Sequence, residues 1–431
     1  MGNVLASIGK DANGDSVVQY EYNLAGKPTK MITGLSEYSE NQTGGNVTSY
    51  TYEDGYLMEI TDPLGQSESY TYDWLGNMLT KQDRNEVNHT YTYGIYGLEE
   101  TTAGNLKTTT AYDNLGRVTS QSQYEDNTLT DSISFTYDAF GRVIAENQGN
   151  IEREYTYDAN NNKTSYTLKE NGEQKTQNTY SYNNLNQLTN QTIDDTILTY
   201  QYNPVGNLIS DTVGAYTSTY EYNDGNMLLL KETSDNAYNS DYSEYTYSLD
   251  GNRITSESNQ EEKSYRYDDL GRLIYEGSEI SVYVGDCQPI ITEDFYTYDN
   301  RGNRLTKTSN GSVTEYSYDA NNRLTSEISD AESISYYYDA NGNTTLKNVG
   351  VFTADGETDI NMLASGINMT HYSYDHANRL KSVTSPEDIT SYTYGVNNLR
   401  KTKTVNGETT GYVWNGQNMV AETDGNTIQT I

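Results

Sequence analysis

The side chains that most often perform catalysis or bind metals are few in this sequence. It contains three histidines, His89, His371 and His376, and one cysteine, Cys287. A His-Glu-x-x-His string is absent, and no histidine lies near Cys287 in the sequence to activate its thiol. His371 and His376 flank a strand-and-turn sequence in which they need not share a face. We therefore predict no metal site, no bound cofactor and no cysteine nucleophile.

The sequence contains so many carboxylates that a pair of them is weak evidence for catalysis. A glycosidase needs two carboxylates about 5–10 Å apart, but 62 acidic residues make close pairs common by chance. The segments Asp11–Asp15 and Asp339–Asn343 are similar to calcium loops, yet both lack the glutamate at the twelfth position and the flanking helices. Turn chemistry explains them, and weak calcium binding stays open. We predict that the chain is not an enzyme.

The net charge argues against two classes of partner. The chain has 27 basic and 62 acidic residues, for a formal net charge of −35, whereas nucleic acids and anionic membranes require a positive surface. No apolar run reaches the length of about 18 residues that a membrane span needs, and no signal-peptide pattern stands at the N-terminus. We expect a monomer with no nucleic-acid partner and no membrane span.

The elements that must position the polar groups are best seen in residues 265–275. Tyr265 and Tyr267 stand two residues apart, so both point to the same face of an extended strand. Asp268 follows, then two variable residues and Gly271, which is turn chemistry because Asp bonds its downstream backbone and Gly accepts a positive φ. Leu273 opens a second extended run. The sequence predicts a β-hairpin.

The same unit recurs along the whole chain. The second aromatic residue of each pair, which we call the marker, recurs most often at a step of 20 residues, as from Tyr182 to Tyr202 to Tyr222. About 18 such units make a repeat array, and we assign residues 1–431 to one domain of this kind, a fragment of a larger protein. Extra residues follow the second strand of a hairpin. The two longest insertions cover about 277–294 and 348–370.

The turn residues and the strand count together predict the fold. The turn glycine is replaced by Asn161, Asn186 and Asn322, and asparagine is the other residue that tolerates a left-handed backbone. Helical periodicity is lacking. About 36 strands in one ribbon would twist too far to stay flat, because open sheets rarely exceed about ten strands. We predict an all-β fold, a long antiparallel β-hairpin array coiled into a spiral sheet that is hollow or partly open.

The paired tyrosines allow a structural and a functional interpretation. As structure, same-face tyrosines of adjacent hairpins stack into aromatic ladders that replace an aliphatic core. As function, exposed aromatic rows stack on sugar rings. The strict placement of the tyrosines at strand positions favours structure. We expect Arg117, Arg142 and Arg272, which follow turn glycines, to pair with turn aspartates of neighbouring repeats or to lie over tyrosine rings.

The block Tyr-Asp-x-x-Gly-Arg stands at residues 112–117, 137–142 and 267–272. It resembles the YD repeat of bacterial Rhs proteins, of the shell subunits of Tc toxin complexes and of teneurins. The resemblance covers essentially the whole chain, and so many copies at a common spacing are specific. The residues to which we assign the structural repeat motif are Tyr112, Asp113, Gly116, Arg117, Tyr137, Asp138, Gly141, Arg142, Tyr265, Tyr267, Asp268, Gly271, Arg272, Tyr318, Asp319, Tyr338, Asp339 and Gly342.

The resemblance implies a function as well as a fold. YD repeats of this family form a spiralling shell, a β-cocoon, which in bacterial members encloses a C-terminal toxin used in competition between cells. By resemblance we expect a shell segment of a secreted or cell-surface protein, whose partner is the toxin domain of the same polypeptide. The competing expectation is a cell-surface adhesion module that binds glycans.

Two segments bear on the self-cleaving core that follows the repeats in many family members. Residues 412–422 resemble the unit before that core, and we expect the core and the toxin to lie outside this chain. Asp62-Pro63-Leu64-Gly65 matches the short Asp-Pro-x-Gly string of the core, but it lies between early repeats and lacks the following tryptophan. Proline and glycine are also ordinary turn residues here. We interpret this segment as a turn.

Overall fold

The described segments of the chain consist of β-strands joined by turns and short loops. The structure is a computed structural model and describes residues 5–10, 15–40, 42–235, 240–280, 290–351, 368–424 and 427–430. These residues form 38 β-strands, and they include no helix that could cross a membrane. The predicted all-β class and the hairpin repeat are confirmed.

The chain divides into two compact units. Unit 1 comprises residues 1–132 and 296–430, and unit 2 comprises residues 133–295. Two strands each contain a boundary, β12 (Thr128–Tyr137) and β26 (Ile290–Tyr298). The assignment of the whole chain to one domain stays a prediction.

Unit 1 holds the first and last strands of the chain. They are β1 (Ala6–Gly9), β2 (Ser16–Tyr22), β3 (Pro28–Leu35), β4 (Asn46–Glu53), β5 (Tyr56–Thr61), β6 (Ser67–Tyr72), β7 (Met78–Gln82), β8 (Asn88–Tyr93), β9 (Leu98–Ala103), β10 (Leu106–Tyr112) and β11 (Val118–Glu125). After unit 2 follow β27 (Arg304–Ser309), β28 (Ser312–Tyr318), β29 (Leu324–Ile328), β30 (Glu332–Tyr338), β31 (Thr344–Val351), β32 (Met369–Tyr374), β33 (Leu380–Thr384), β34 (Ile389–Tyr394), β35 (Arg400–Val405), β36 (Glu408–Asn415), β37 (Asn418–Thr423) and β38 (Ile428–Thr430).

Unit 2 holds the strands between the two boundaries. They are β13 (Val143–Gln148), β14 (Ile151–Tyr157), β15 (Lys163–Glu170), β16 (Glu173–Tyr182), β17 (Leu188–Ile193), β18 (Thr196–Tyr202), β19 (Leu208–Val213), β20 (Tyr216–Tyr222), β21 (Leu228–Ser234), β22 (Ser240–Tyr247), β23 (Arg253–Ser258), β24 (Glu261–Tyr267) and β25 (Leu273–Ile280). In the first predicted insertion, residues 277–280 belong to β25 and residues 290–294 belong to β26. Residues 281–289 lie outside the described residues. In unit 1, residues 352–367 of the second insertion also lie outside the described residues.

Within each unit, strands that follow each other in the chain pair antiparallel. For example, β14 pairs with β13 on one side and with β15, the return strand of its hairpin, on the other. The marker position carries a β-bulge, because Thr156 pairs with Ser165 but Tyr157 pairs with Lys163. The same shift recurs at other markers. The return strand thus has one extra residue where it leaves the turn, which bends it locally.

A hydrogen-bonded turn follows the marker. At Asp268, the backbone N–H donates to the carbonyl of Arg272, and the carbonyl accepts from the N–H of Gly271, both at 2.9 Å. The Oδ1 atom of Asp268 accepts from the N–H groups of Leu270 and Arg272 at 3.0 and 2.8 Å. One side-chain oxygen therefore satisfies two backbone donors, which explains why Asp or Asn stands at the first turn position.

The fourth turn position is left-handed, and asparagine occupies it where glycine is missing. Asn161, Asn186 and Asn322 have φ values of 68°, 59° and 61°. Gly271 has a φ of 75°, so the prediction that both residue types serve this backbone is confirmed. The other motif glycines have positive φ as well: Gly116, Gly141 and Gly342.

The two faces of the sheet differ in chemistry and in burial. In β14, Tyr155 is 5% exposed and Tyr157 is half-buried, whereas Thr156 between them is exposed on the opposite face. That opposite face, which we call the hydroxyl face, carries Ser and Thr pairs across neighbouring strands. The bonded pairs include Thr71–Thr80, Thr90–Thr102, Thr246–Thr255, Thr297–Thr306, Ser373–Ser382 and Thr393–Thr402.

Aliphatic packing is local. Val17, Ile32 and Leu35 form a small buried cluster in unit 1, and Tyr166 and Leu168 are fully buried in unit 2. Most tyrosines are only half-buried. The fold must therefore depend on hydrogen bonds and on aromatic rings more than on a continuous aliphatic core.

Replacing Gly271 by valine should lower the free energy of unfolding by about 1–3 kcal/mol, because a β-branched residue is strained at positive φ. Space is not limiting, since an added Cβ would lie 3.8 Å from the nearest side-chain atom, Nδ2 of Asn252. Gly271→Asn is the matched control and should be tolerated. Urea denaturation measures both, and equal stability of Gly271→Val and the parent would contradict the strain.

Candidate functional site

The arginine after the turn glycine joins two consecutive hairpins. Nε of Arg142 donates to Oδ2 of Asp138, in its own turn, at 2.7 Å. Nη1 donates to the carbonyl of Asp158 and to Oδ1 of Asn161, both in the next turn, at 2.8 and 3.0 Å. The guanidinium lies 4.9 Å from the ring centroid of Tyr157, the marker of that next hairpin. One side chain thus fixes one turn against the next.

These arginines form ion pairs within their own turns. Arg117 and Arg272, like Arg142, pair with the aspartate of their own turn. The alternative expectation, a guanidinium over a tyrosine ring, holds for Arg142. The turn brings the arginine back beside the first turn residue, so the aspartate of the same turn is within reach of the guanidinium. The neighbouring repeat contributes a carbonyl and a ring instead, and Arg323 shows the same arrangement.

The marker ring makes the second link between hairpins. The hydroxyl of Tyr157 donates to the carbonyl of Val143, at the start of the preceding return strand, at 2.8 Å. Nε1 of Trp414 donates to the carbonyl of Arg400 at 2.8 Å in the corresponding place. The other markers that make this bond include Tyr112, Tyr182, Tyr222, Tyr247, Tyr318, Tyr338, Tyr374 and Tyr394.

The residue types at the marker position indicate this hydrogen bond, which the interpretation as aromatic ladders does not include. The first position of the aromatic pair accepts Phe135 and Thr110, whereas the marker position holds tyrosine and, once, Trp414. Tyrosine and tryptophan both carry a hydrogen-bond donor at the ring edge, and phenylalanine does not. The marker position therefore selects a donor as well as a ring.

Three further motif tyrosines occupy the predicted strand positions. Tyr265 lies opposite Glu276, and Tyr267 pairs with Leu273 after the bulge. Tyr137 has the same bulged register. All three are half-buried, so the structure places them on the same face as the markers that carry the links.

The first tyrosine of a pair contacts side chains rather than backbone. Tyr220 donates to Oδ1 of Asp211 at 2.6 Å, and Tyr336 donates to Oε1 of Glu327 at 2.7 Å. Burial and the bond to Glu327 raise the pKa of Tyr336 well above its ordinary range. Ring-to-ring contacts join pairs such as Tyr56 with Tyr72 and Tyr155 with Tyr166. Hydroxyl bonds and cations over the rings accompany them, and the ladder interpretation stays a prediction.

In unit 1, two kinds of edge pack against each other in a contact that we call the seam. Return loops, which connect a return strand to the next hairpin, lie on one side, and marker turns, which follow the marker, lie on the other. From one contact to the next, the residue numbers increase on both sides of the seam. In order, the contacts are Ser16 with Asn300, Asp62 with Asn321, Asp83 with Asn341, Asn105 with His376, and Asp131 with Val396.

In the seam, polar groups bond to side chains or backbone groups of the marker turns. Nδ2 of Asn321 donates to Oδ2 of Asp62 at 2.7 Å. Oδ1 of Asp62 accepts two N–H groups of its own loop, so Asp62-Pro63-Leu64-Gly65 forms a turn and its carboxylate is used structurally. Asp131 accepts from the N–H of Val396 at 2.9 Å and from Nζ of Lys401 at 2.8 Å. These carboxylates bind other parts of the chain.

Asp83 is the most completely bonded carboxylate of the seam and is only 6% exposed. Oδ1 accepts from the N–H groups of Asn85 and Val87 at 3.0 and 2.9 Å, and Oδ2 accepts from Nδ2 of Asn341 at 2.9 Å. Nε2 of His89 lies 3.3 Å from Oδ2. Burial alone would raise the pKa of Asp83, but the bonds from Asn341, Val87 and His89 outweigh burial and hold that pKa below its ordinary value.

Two of the three histidines make polar contacts at the seam, and the third is exposed. His89 and His376 contribute to the seam, and His371 is exposed in β32. No group of three or more His, Cys, Asp or Glu in that part of the chain is arranged to hold a metal ion. Cys287 and residues 11–14 of the calcium-like segment lie outside the described residues.

A half-open cavity of about 550 Å³ lies beside the seam in unit 1. Tyr91, Glu100, Gln121 and Gln123 line one side, and Arg379 lines the other. Nη1 of Arg379 donates to Oε1 of Gln123 at 3.2 Å. An aromatic ring among several hydrogen-bonding groups is a lining that suits a polar ligand.

Comparison with known families supports the resemblance seen in the sequence. Residues 298–334 match the family model described as RHS Repeat. This segment contains Tyr318 and Asp319 of the predicted motif, and the YD-repeat resemblance is confirmed there. No curated protein matches the chain.

Two solved structures share the fold over nearly the whole chain. The crystal structure of TcdB2-TccC3-TEV is 14% identical with a TM-score of 0.56 and covers 95% of this chain. That of TcdB2-TccC3-Cdc42 is 15% identical with a TM-score of 0.57 and covers 93%. The chain spans only 25% and 24% of their respective lengths. At this identity the similarity shows the fold.

Replacing Tyr157 by phenylalanine should lower the free energy of unfolding by about 0.5–1.5 kcal/mol, because the carbonyl of Val143 loses its donor while the ring is kept. Tyr337→Phe is the matched control: its ring is 54% exposed on the hydroxyl face, and its stability should stay at the parent value. Urea denaturation of both variants gives the difference. Equal free energies of unfolding for Tyr157→Phe and Tyr337→Phe would show that the marker hydrogen bond contributes no stability.

The seam should weaken in acid. Because the pKa of Asp83 is lowered by folding, its contribution is fully present above the unfolded pKa of about 3.9 and is lost as the pH falls through the lower folded value. Asp83→Asn should therefore flatten the acid limb of a plot of stability against pH, whereas Asp269→Asn, at an exposed turn, should leave it unchanged. Thermal melts between neutral and acid pH measure this, and parallel curves for Asp83→Asn and the parent would contradict it.

Proposed function

We propose that this array of RHS repeats is a structural shell segment of a bacterial toxin protein and that it performs no catalysis. It encloses a toxin domain carried C-terminally on the same polypeptide and helps to deliver it in competition between bacteria. The protein acts after secretion or at the cell surface. Its partner is the toxin domain, and the repeats provide the wall.

The observation that carries this proposal is the seam, in combination with the links between hairpins. A wall that retains a polypeptide must be closed between consecutive hairpins and also between stretches of hairpins that are distant in the sequence. The Tyr157 hydroxyl and the Arg142 guanidinium illustrate the links along the array. Asp62, Asp83 and Asp131 join separate stretches edge to edge. A sheet whose edges bond to each other has the property that a container requires and a catalytic domain does not.

The comparisons and the chemistry support the same role. The chain has the fold of TcdB2-TccC3 proteins that are about four times as long, as a segment of a larger shell would. The carboxylates of the seam bond to amide and backbone groups of the same chain, which suits a structural role.

Limited proteolysis of the whole polypeptide that carries this chain tests the proposal. The domain after the repeats should resist cleavage in the parent protein. It should be cut faster in a variant with Asp83→Ala and Asn341→Ala, which lose the best-bonded seam contact. Tyr337→Phe serves as the control and should keep the parent rate. Equally fast cleavage of the parent and of the separately expressed domain would contradict enclosure.

The cavity beside the seam favours a second candidate function, a glycan-binding module. Tyr91, Gln121 and Glu100 line this cavity, and we infer that Tyr91 stacks on a sugar ring while the other two bond its hydroxyls. Retention of the chain on a glycan affinity gel, lost on Tyr91→Ala, would favour this function. Absence of retention across a glycan array would leave the shell as the function of the repeats.

A further inference from the structure

Unit 1 contains a second cavity, of about 300 Å³, next to the cavity of about 550 Å³. Gln123 and Arg379 line both cavities, so their hydrogen bond lies in the wall that the two cavities share. The second cavity is also lined by Lys381 of β33, Tyr392 of β34 and Lys401 of β35. A volume of this size is at the lower end of the range for small-molecule sites.

The charges that line this cavity differ in balance from those of the whole chain. Three cations, Arg379, Lys381 and Lys401, and two carboxylates, Glu125 and Asp375, belong to the lining. The whole chain has 27 basic and 62 acidic residues. An excess of cations at one cavity of so acidic a chain indicates a place where an anion is favoured.

Two of the lining cations are held in place by carboxylates. Nε of Arg379 donates to Oδ2 of Asp375 at 2.8 Å, and Nζ of Lys401 donates to Oδ1 of Asp131 at 2.8 Å. Asp131 is only 6% exposed, so it anchors the lysine to the interior of the unit. These two bonds give the cavity a defined cationic wall before any ligand enters.

The other cations of this region are less neutralised. Nζ of Lys381 lies 3.4 Å from Oε1 of Glu125, but both side chains are exposed, and solvent weakens such a pair. Among the described residues, Arg400 and Lys403 form no ion pair with a carboxylate. Lys403 lies opposite Tyr392 across the strands, and the guanidinium of Arg400 is 5.7 Å from the ring centroid of Tyr392. Positive charge therefore remains available beside the ring that lines the cavity.

Tyr392 also has a hydroxyl group that is free to bind. Where the first tyrosine of a pair bonds a carboxylate, as Tyr336 bonds Glu327, the acceptor stands nine residues earlier. The residue nine positions before Tyr392 is Val383, which has no side-chain acceptor. In the part of the chain that the structure describes, the Tyr392 hydroxyl has no hydrogen-bond partner. A half-buried ring with a free hydroxyl suits a ligand that has both a ring and oxygen atoms.

We propose that this cavity binds a small organic anion in which a phosphate or carboxylate group is attached to a ring of sugar size. The anionic group lies against Lys381 and Lys401, and the ring lies on Tyr392. Charge-assisted hydrogen bonds from the two ammonium groups favour the anion over a neutral sugar. The proposal depends neither on the shell function nor on glycan binding in the neighbouring cavity.

Isothermal titration calorimetry of the whole chain with four probes tests this binding. Glucose 6-phosphate and glucuronate carry an anionic group on a sugar ring, glucose has the ring alone, and inorganic phosphate has the charge alone. At least one sugar anion should bind at one site per chain, about tenfold or more tightly than glucose and inorganic phosphate. The sugar anion with the higher affinity identifies the anionic group.

Two pairs of substitutions separate the cavity from the net charge of the chain. Lys381→Gln with Lys403→Gln should raise the dissociation constant of the sugar anion by at least about tenfold. The matched control, Lys231→Gln with Arg253→Gln, removes two cations of unit 2 that lie over tyrosine rings. It changes the net charge equally and should bind like the parent. Circular dichroism should show the same β-structure in all three proteins.

A third variant separates the ring from the charge. Tyr392→Leu should weaken binding of the sugar anion and leave the affinity for inorganic phosphate unchanged. Absence of saturable binding of both sugar anions at millimolar concentration would overturn the proposal, as would glucose binding as tightly as they do. An equal loss of affinity in the unit 2 control would also overturn it, because the net charge of the chain and not this cavity would then determine binding.

Discussion

The hydrogen bond from the marker ring to the carbonyl of the preceding return strand is the contact on which the repeat depends. In seven of the ten marker bonds described here the marker and its acceptor are 14 residues apart, as for Tyr157 with Val143. For Tyr182 the separation is 19, and for Tyr374 it is 30. The bond thus survives changes in the length of the return loop, because its acceptor is defined by the neighbouring strand and not by sequence distance. This explains why insertions collect after the second strand.

Around this bond, each residue type of the repeat has a separate task. The Oδ1 atom of the first turn residue accepts from backbone N–H groups of the turn, as in Asp138. Its Oδ2 atom accepts from Arg142, which also bonds the next turn. In several hairpins the residue between the two aromatics is a threonine or serine on the hydroxyl face, and its hydroxyl bonds one on the neighbouring strand, as Thr71 does with Thr80. The fold thereby replaces an aliphatic core with polar contacts that hold from hairpin to hairpin.

The local chemistry of the repeat was predictable from the sequence, and its long-range contacts were not. Asp268, Gly271 and Asn161 could be assigned to a turn because their roles depend on neighbours within a few residues. The contacts of Arg142 were predicted in part: its position over a tyrosine ring was expected, but its ion pair with the aspartate of its own turn was not, since spacing alone does not show how tightly a turn closes. The seam could not be predicted, because Asp83 and Asn341 are ordinary loop residues until folding brings them together across 258 positions.

The seam has a consequence for how the array can change in evolution. Its contacts join residues separated by 259, 258, 271 and 265 positions. Duplicating or deleting one hairpin inside that interval would shift every marker turn past its loop, so that Asn341 would no longer meet Asp83. Repeat proteins commonly vary their copy number, because each unit contacts only its neighbours. Here, contacts between residues distant in sequence favour a fixed number of hairpins between the two sides of the seam, so changes in loop length should be tolerated better than changes in hairpin number.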